Sequence, residues 1–94
     1  PAVIAFNAEA ESLQKDKRLA RMAQAMGLDS TSDIGDAIKA LNARLGLPSG
    51  LAAIGVHADM FEAIIRGAMM DHCHKTNPRL ASSDDYLAML RQSM

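Results

Sequence analysis

The sequence predicts an all-α fold, a small helical bundle of four to five helices. In three long stretches, apolar residues recur at intervals of three and four, as they do on the buried face of a helix. Glycine or proline follows these stretches, and Ser or Asp residues precede the later ones, as expected at helix ends. No part of the 94 residues shows a convincing strand pattern.

The first long helix is predicted from about Ser12 to Met26, with Gly27 in the left-handed position that ends a helix. Its buried stripe consists of Leu19, Met22, Ala23 and Met26. Before it, residues 1–6 are apolar and we interpret them as the end of a helix that Asn7 terminates, with residues 8–12 as a connection. Because this apolar start has no cap and no initiator methionine, we expect the chain to belong to a longer protein.

The second long helix is predicted to begin within residues 30–33, where a serine hydroxyl can accept from a free backbone N–H and Asp33 lies at the positive end of the dipole. Its buried stripe consists of Ile34, Ala37, Ile38, Leu41 and Leu45. Gly46 and Pro48 end it. Residues 47–56 are apolar but interrupted, and we predict a turn of helix and a buried loop that other protein must cover.

The third and longest helix is predicted from Asp59 to about Cys73, with Glu62 and Arg66 as a surface ion pair. Pro78 forces Asn77 out of helical geometry and so separates this helix from the last one. The final helix is predicted to be capped by Ser82 or Ser83, with two acids in its first turn and Leu80 as a hydrophobic staple.

Composition limits both the core and the partners. Apolar residues make up 49% of the chain, but 17 are Ala and only three residues are aromatic, so the core should be thin. A net charge of −1 with mixed signs excludes nucleic acid as a partner. No apolar run approaches the roughly 20 residues that span a bilayer, no signal peptide is present, and the single cysteine forms no internal disulfide. We therefore expect no membrane partner and a cytoplasmic location.

The His72-Cys73-His74 run invites a metal interpretation, which helical geometry disfavours. Adjacent helical side chains point about 100° apart, so only Asp71 and His74 share a face, and a third ligand would have to come from His57 or an acid elsewhere. We favour histidines placed by the helix dipole over a metal site.

Cys73 is a weak candidate nucleophile, because the negative end of a helix raises the pKa of a thiol. A packed or cleft-lining thiol is the preferred interpretation. Arg79 either bonds helix-end carbonyls or an acid, which we favour, or fixes the loop beside a cleft. The glycines form no phosphate-binding loop.

Four short motifs follow one another along the chain: Pro1-x-Val3-x-x-Phe6-Asn7, Leu45-Gly46-Leu47-Pro48-x-x-Leu51 with Gly55-Val56, Asp71-x-Cys73-x-x-x-Asn77-Pro78-Arg79, and Ser82-x-Asp84-Asp85-Tyr86. Through these motifs the chain resembles the C-terminal end of the iron-containing (group III) alcohol dehydrogenases. Each motif is moderately specific, and their order and spacing over nearly all 94 residues are quite specific.

The resemblance implies a parent enzyme with an N-terminal α/β domain that binds NAD(P) and a C-terminal helical domain that holds a divalent metal, iron or zinc. Such an enzyme moves a hydride between the nicotinamide and an alcohol or aldehyde. In that family one Asp and three His bind the metal, all N-terminal to the position of Pro1. His57, His72 and His74 match none of them, so we expect no cofactor-binding, metal-binding or catalytic residue in residues 1–94.

The same resemblance implies that Cys73, Asp71, Asn77 and Arg79 border the substrate cleft, with Cys73 nearest the substrate. We therefore expect an incomplete domain of a dehydrogenase that is inactive in isolation. The alternative is a free-standing helical interaction module, with residues 47–56 and the start of the chain as a binding groove. Both interpretations predict exposed apolar surface and homo-oligomers formed through it.

Overall fold

The computed structural model describes residues 1–29 and 32–94. Within those residues the chain forms six α-helices and three short 3-10 turns without any strand, which confirms the all-α class. The α-helices are α1 (Ala2–Asn7), α2 (Glu11–Lys15), α3 (Arg18–Ala25), α4 (Ile34–Arg44), α5 (Phe61–Met70) and α6 (Ser83–Gln92). The 3-10 turns are Leu51–Ile54, Ala58–Met60 and His72–Thr76.

The helix predicted over residues 12–26 is two helices, and the prediction of a single one is wrong. The chain turns at Lys17, whose φ of 49° and ψ of 39° are left-handed. Asp16 stabilises the corner by accepting two hydrogen bonds from Arg18, at 3.1 and 3.2 Å. The apolar stripe begins only at Leu19, so no buried face runs across the break. Gly27 ends α3 with a φ of 73°, as predicted.

Helix α4 begins at a different residue from the serine that the sequence indicated. The Asp33 carboxylate caps it by accepting from the Asp36 N–H at 2.9 Å. The predicted positions Ser30 and Thr31 lie outside the described residues. At the other end, Gly46 has a φ of 68° and the Leu47 N–H donates to the Asn42 carbonyl, so the predicted glycine stop is confirmed.

Residues 47–56 contain the predicted turn of helix, here a 3-10 turn, but they are not buried. Leu47 is 51% exposed and Ile54 is 62% exposed. The turn is held to the C-terminal end of the chain by the Leu51 N–H, which donates to the Ser93 carbonyl at 2.8 Å. Within the described residues nothing covers the apolar side of this segment.

Helix α5 ends at Met70, three residues before the predicted end at Cys73. Asp71 adopts an extended conformation with a ψ of 140°, and its carboxylate accepts from the Cys73 N–H at 2.7 Å. A short acidic side chain that bonds the backbone in this way competes with the helix and starts a new turn. Asn77 is extended before Pro78, as predicted. The ion pair between Glu62 and Arg66 is also present, at 3.7 Å.

Helix α6 begins with a capping box. The Ser82 hydroxyl accepts from the Asp85 N–H, and the Asp85 carboxylate accepts from the Ser82 N–H at 2.8 Å. The hydrogen bonds that the Asp85 carboxylate accepts from the Ser82 N–H and the Ser82 hydroxyl hold the pKa of this carboxyl below its usual value. The predicted cap at Ser82 is confirmed, whereas the predicted staple is wrong, because Leu80 is 67% exposed.

The helices form a flat bundle with a thin core. Helix α5 packs on α6, α6 on α1, and α1 on α4, while α3 contacts both α2 and α4. Among the described residues the buried apolar ones are Ala2, Ala10, Ala23, Ile34, Phe61 and Ala81. Four of these six are alanines, as the composition indicated. None of the helices described is long and apolar enough to cross a membrane.

Candidate functional site

A cleft of about 430 Å³ lies where α1, the end of α5, the turn His72–Thr76 and α6 meet. Its apolar lining includes Val3, Phe6, Ala68, Ala81 and Met89, and its polar lining consists of Asp71, Cys73, His74, Asn77 and Tyr86. Three of the four residues predicted to border a substrate cleft, Asp71, Cys73 and Asn77, therefore line one cavity.

Asn77 joins this cleft to the first helix of the chain. Its side-chain amide donates to the Asn7 side-chain oxygen, Oδ1, at 2.7 Å, and the Asn7 side-chain amide donates to Asn77 Oδ1 at 3.0 Å. The Asn77 amide also donates to the Arg79 backbone carbonyl at 2.6 Å. Asn7 ends α1, and the extended backbone before Pro78 lets Asn77 reach it. The amide pair therefore holds the residues after His72–Thr76 against α1.

Arg79, the fourth predicted residue, lies beside the cleft and not in its lining. Its Nη1 donates to the Phe6 carbonyl at 3.1 Å and to the Glu9 carboxylate at 2.7 Å. Its guanidinium also lies 4.2 Å from the centroid of the Phe6 ring. The favoured prediction, a bond to a helix-end carbonyl and an acid, is confirmed. Because Phe6 lines the cleft, the same contacts fix the position of one side of it.

Cys73 presents an exposed thiol at the edge of this cleft and is not packed in the core. The Asp71 carboxylate raises the pKa of the thiol, first through a hydrogen bond and also through its charge, with a contribution from desolvation. The direction agrees with the prediction, but the cause differs. Helix α5 ends before Cys73, so the nearby carboxylate acts in place of the helix dipole. A thiol with a raised pKa is a poor nucleophile at neutral pH.

Comparison with known proteins identifies the family. The model of the Fe-containing alcohol dehydrogenase family, C-terminal part, matches residues 1–94. This chain belongs to that family. The resemblance carried by the motifs around Asp71 and Pro78 is therefore confirmed.

Three relatives illustrate the match. The chain is 52% identical over 94 residues to a 4-hydroxybutyrate dehydrogenase of Cupriavidus necator, covering all of this chain and 25% of the relative. It is 32% identical over 102 residues to an NAD-dependent methanol dehydrogenase of Bacillus methanolicus, covering 100% of this chain and 26% of the relative. It is 34% identical over 80 residues to alcohol dehydrogenase 4 of Saccharomyces cerevisiae, covering 82% of this chain and 21% of the relative. The chain thus spans about a quarter of the length of these relatives, and no solved structure gives a significant match.

The family description names iron, and the described residues of this chain bring one group of potential metal ligands together. Of the pair that the helical spacing indicated, Asp71 and His74, the histidine lies outside the cluster of potential ligands, and its Nδ1 is 3.1 Å from the Tyr86 hydroxyl. Asp71, His72 and Cys73 instead bring one potential ligand atom each within 4.8 Å of one another. All three are exposed neighbours in one turn, and the Asp71 carboxylate already caps that turn.

These donors do not fit a resident iron site. The three donors come from consecutive exposed residues of one turn, and no second element of the described residues adds a fourth ligand to the cluster. The described residues also contain no glycine-rich loop that could hold a dinucleotide phosphate. No chemical step is therefore assigned to a metal or a cofactor held by residues 1–29 and 32–94.

Sequence reasoning missed the contact between His74 and Tyr86. The two rings lie 5.9 Å apart at an angle of 39°, and both line the cleft. The sequence indicates His74 as a helix-end histidine or a metal ligand, and Tyr86 only as part of a motif. The feature of the sequence that points to Tyr86 is its position directly after Asp85 of the capping box, in the first turns of α6.

Proposed function

We propose that this chain forms the C-terminal helical part of a longer NAD(P)-dependent, metal-dependent alcohol dehydrogenase. In that enzyme a hydride passes between the nicotinamide and an alcohol or aldehyde carbon. The observation that carries the proposal is the family match over residues 1–94, and the motif residues Asp71, Cys73 and Asn77 line one cleft. The family description supports iron as the metal, and the name of the Bacillus relative supports NAD.

The similarity to a 4-hydroxybutyrate dehydrogenase supports a short hydroxy acid as the substrate. A cavity of about 430 Å³ with both apolar and polar linings suits a molecule of that size. The chain would contribute the side of the substrate cleft that Asp71, Cys73 and Asn77 form. Arg79 and Asn7 would keep that side in place through their bonds across to α1 and to Asn77.

The 94-residue chain alone should not catalyse the reaction, because it matches the C-terminal part of the family and the donors of its described residues do not fit the family metal. Purified chain is mixed with NADH or NADPH, an aldehyde and ferrous or zinc ions, and the loss of absorbance at the reduced-nicotinamide band is followed. We expect the rate of a metal-only control. A rate clearly above that control contradicts the proposal that catalysis requires the rest of the enzyme.

The source DNA upstream of Pro1 tests the proposal itself. We expect the open frame to continue through a histidine-glycine pair, an Asp-x-x-x-His metal pair and a glycine-rich nucleotide loop. The complete product should oxidise 4-hydroxybutyrate or a short alcohol with NAD(P). A stop codon and a ribosome-binding site immediately upstream would contradict it. A complete product that oxidises neither would contradict it as well.

The second candidate function is a free-standing helical interaction module. The exposed apolar side chains around Leu47 and Ile54 favour it, because such side chains suit a partner surface. A groove of about 660 Å³ adjoins them and extends to Pro1 and Met94. If the open reading frame encodes only the short chain and no longer product has dehydrogenase activity, the interaction module becomes the better-supported function. A cytoplasmic location stays a prediction under either proposal.

A further inference from the structure

His74 and Tyr86 form a polar pair in the lining of the cleft. His74 Nδ1 and the Tyr86 hydroxyl are 3.1 Å apart, and both side chains are half-buried. The contact joins the turn His72–Thr76 to α6 across twelve residues of sequence. The pair is therefore held on two elements that also line the cleft.

The pair offers a hydrogen-bond donor in every protonation arrangement of a neutral imidazole. If the Tyr86 hydroxyl donates to Nδ1, the imidazole proton is on Nε2, and Nε2–H is the remaining donor. If Nδ1–H donates to the Tyr86 oxygen, the tyrosine O–H is the remaining donor. A proton on both nitrogens leaves both groups as donors. The pair thus keeps one N–H or O–H for a further acceptor.

The other polar side chains of the cleft have hydrogen-bond acceptors already, can only accept hydrogen bonds, or are weak donors. Both N–H groups of the Asn77 amide have acceptors, the Asn7 oxygen and the Arg79 carbonyl. The Asp71 carboxylate only accepts. The Cys73 thiol is a weak donor and lies 3.4 Å from Nε2 of His72, an exposed ring. Among the described side chains that line the cleft, the His74–Tyr86 pair is therefore the strong donor for a bound molecule.

We propose that this pair binds the carboxylate of a hydroxy-acid substrate, at the end remote from the reacting alcohol. The inference rests on the proposed dehydrogenase function and deepens it, because it assigns the specificity for an acid to named residues. In the arrangement in which the Tyr86 hydroxyl donates to Nδ1, His74 is the binding residue through its Nε2–H, and Tyr86 is a positioning residue that orients the imidazole. Asp71 lines the same cleft and repels a carboxylate, so the acid end binds on the α6 side, where Tyr86 lies.

The test uses the full-length dehydrogenase and two four-carbon substrates, 4-hydroxybutyrate and 1-butanol, which differ in the distal carboxylate. The measured quantity is the selectivity ratio, which is kcat/KM for the acid divided by kcat/KM for the alcohol. His74→Leu should lower this ratio about tenfold or more, mainly through the KM for the acid. His74→Gln, which retains an N–H donor, should restore part of it. Tyr86→Phe should lower it by about threefold or more because the imidazole loses its partner.

His57→Leu is the matched control, since His57 is an exposed histidine outside the lining of the cleft and its ratio should stay within about twofold of the wild type. If His74→Leu does not fold, the Gln and Phe variants carry the test. A ratio that these variants leave unchanged overturns the inference, as does a wild-type enzyme with no preference for the acid. An enzyme that oxidises neither substrate with NAD(P) overturns the proposed function instead, so the two failures are distinct.

Discussion

At the scale of single residues, the amide pair of Asn7 and Asn77 ties the two ends of the fold together. The residues are 70 apart in sequence, and their side chains exchange two hydrogen bonds of 2.7 and 3.0 Å. Asn77→Ala leaves the half-buried Asn7 amide without its partner, so we expect the free energy of unfolding to fall by about 1–3 kcal/mol. Urea denaturation followed by circular dichroism measures this loss.

Lys75→Ala is the control for Asn77, because Lys75 is exposed in the adjacent turn and should change stability by less than about 0.5 kcal/mol. In the double variant Asn7→Ala/Asn77→Ala the two losses should not add, because both remove the same bonds. Additive losses would show that the two amides do not act as a pair.

Cys73 and Asp71 provide a second prediction at the residue scale. Asp71 raises the pKa of the thiol above its ordinary value of 9.0, so the thiolate fraction at pH 8 is lower than that of a free cysteine. Asp71→Asn removes the charge but keeps an oxygen to cap the turn, and the pKa should fall towards 9.0. Alkylation of this single cysteine by iodoacetamide should then be severalfold faster.

The alkylation rate is measured by mass spectrometry at several pH values, and the apparent pKa is read from the profile. Asp59→Asn serves as the control, because Asp59 lies in the turn before α5, at the opposite end of that helix from Cys73. An equal acceleration in both variants would show that net charge, and not the contact with Asp71, governs the thiol.

At the scale of elements, the break between α2 and α3 is the main departure from the predicted helix over residues 12–26. Lys17 adopts left-handed backbone angles, which cost a residue with a Cβ roughly 1 kcal/mol relative to glycine. Lys17→Gly should therefore stabilise the chain by up to about 1 kcal/mol. Lys15→Gly, two residues earlier and inside α2, should destabilise it by about 0.5–1 kcal/mol.

Thermal melts of the two glycine variants measure this difference directly. Opposite signs are expected because the same substitution meets left-handed angles at one position and helical angles at the other. Destabilisation by both variants to the same extent would contradict the break at Lys17 and favour a continuous helix.

At the scale of the whole molecule, the bundle is flat and leaves apolar side chains uncovered. Its extents are 39 × 32 × 18 Å and its radius of gyration is 14.5 Å, against about 12 Å for a compact domain of this length. Leu45, Leu47, Ile54, Met70 and Leu80 are each more than half exposed. Exposed apolar side chains of this size favour association with other protein surfaces.

We expect the 94-residue chain to self-associate through these faces. Light scattering after gel filtration should give a mass that rises with concentration, and an apolar-sensitive dye should bind. Leu47→Ser/Ile54→Ser should reduce both signals, whereas Ala52→Ser, on the exposed 3-10 turn between them, should not. A monomer at high concentration without dye binding would contradict this prediction and the interaction-module hypothesis alike.

Local signals in the sequence determined much of the fold. The all-α class, the glycine stops at Gly27 and Gly46, the cap at Ser82 and the extended Asn77 before Pro78 depend on neighbouring residues only, so they could be predicted. The thin core followed from the many alanines. The order and spacing of the motifs between Pro1 and Tyr86 together indicated the family.

Only the tertiary structure decided which side chains meet. Helix α3 starts after Lys17 and helix α5 ends before Asp71. Both residues are polar and exposed, so the spacing of apolar residues does not indicate these two boundaries. The pairing of Asn7 with Asn77, of Arg79 with Glu9, and of His74 with Tyr86 joins residues 12 to 70 positions apart. Periodicity reports which face of a helix is buried, but not which distant side chain it faces. The cleft and its hydrogen-bond donor therefore emerged only when α1, α5 and α6 were packed together.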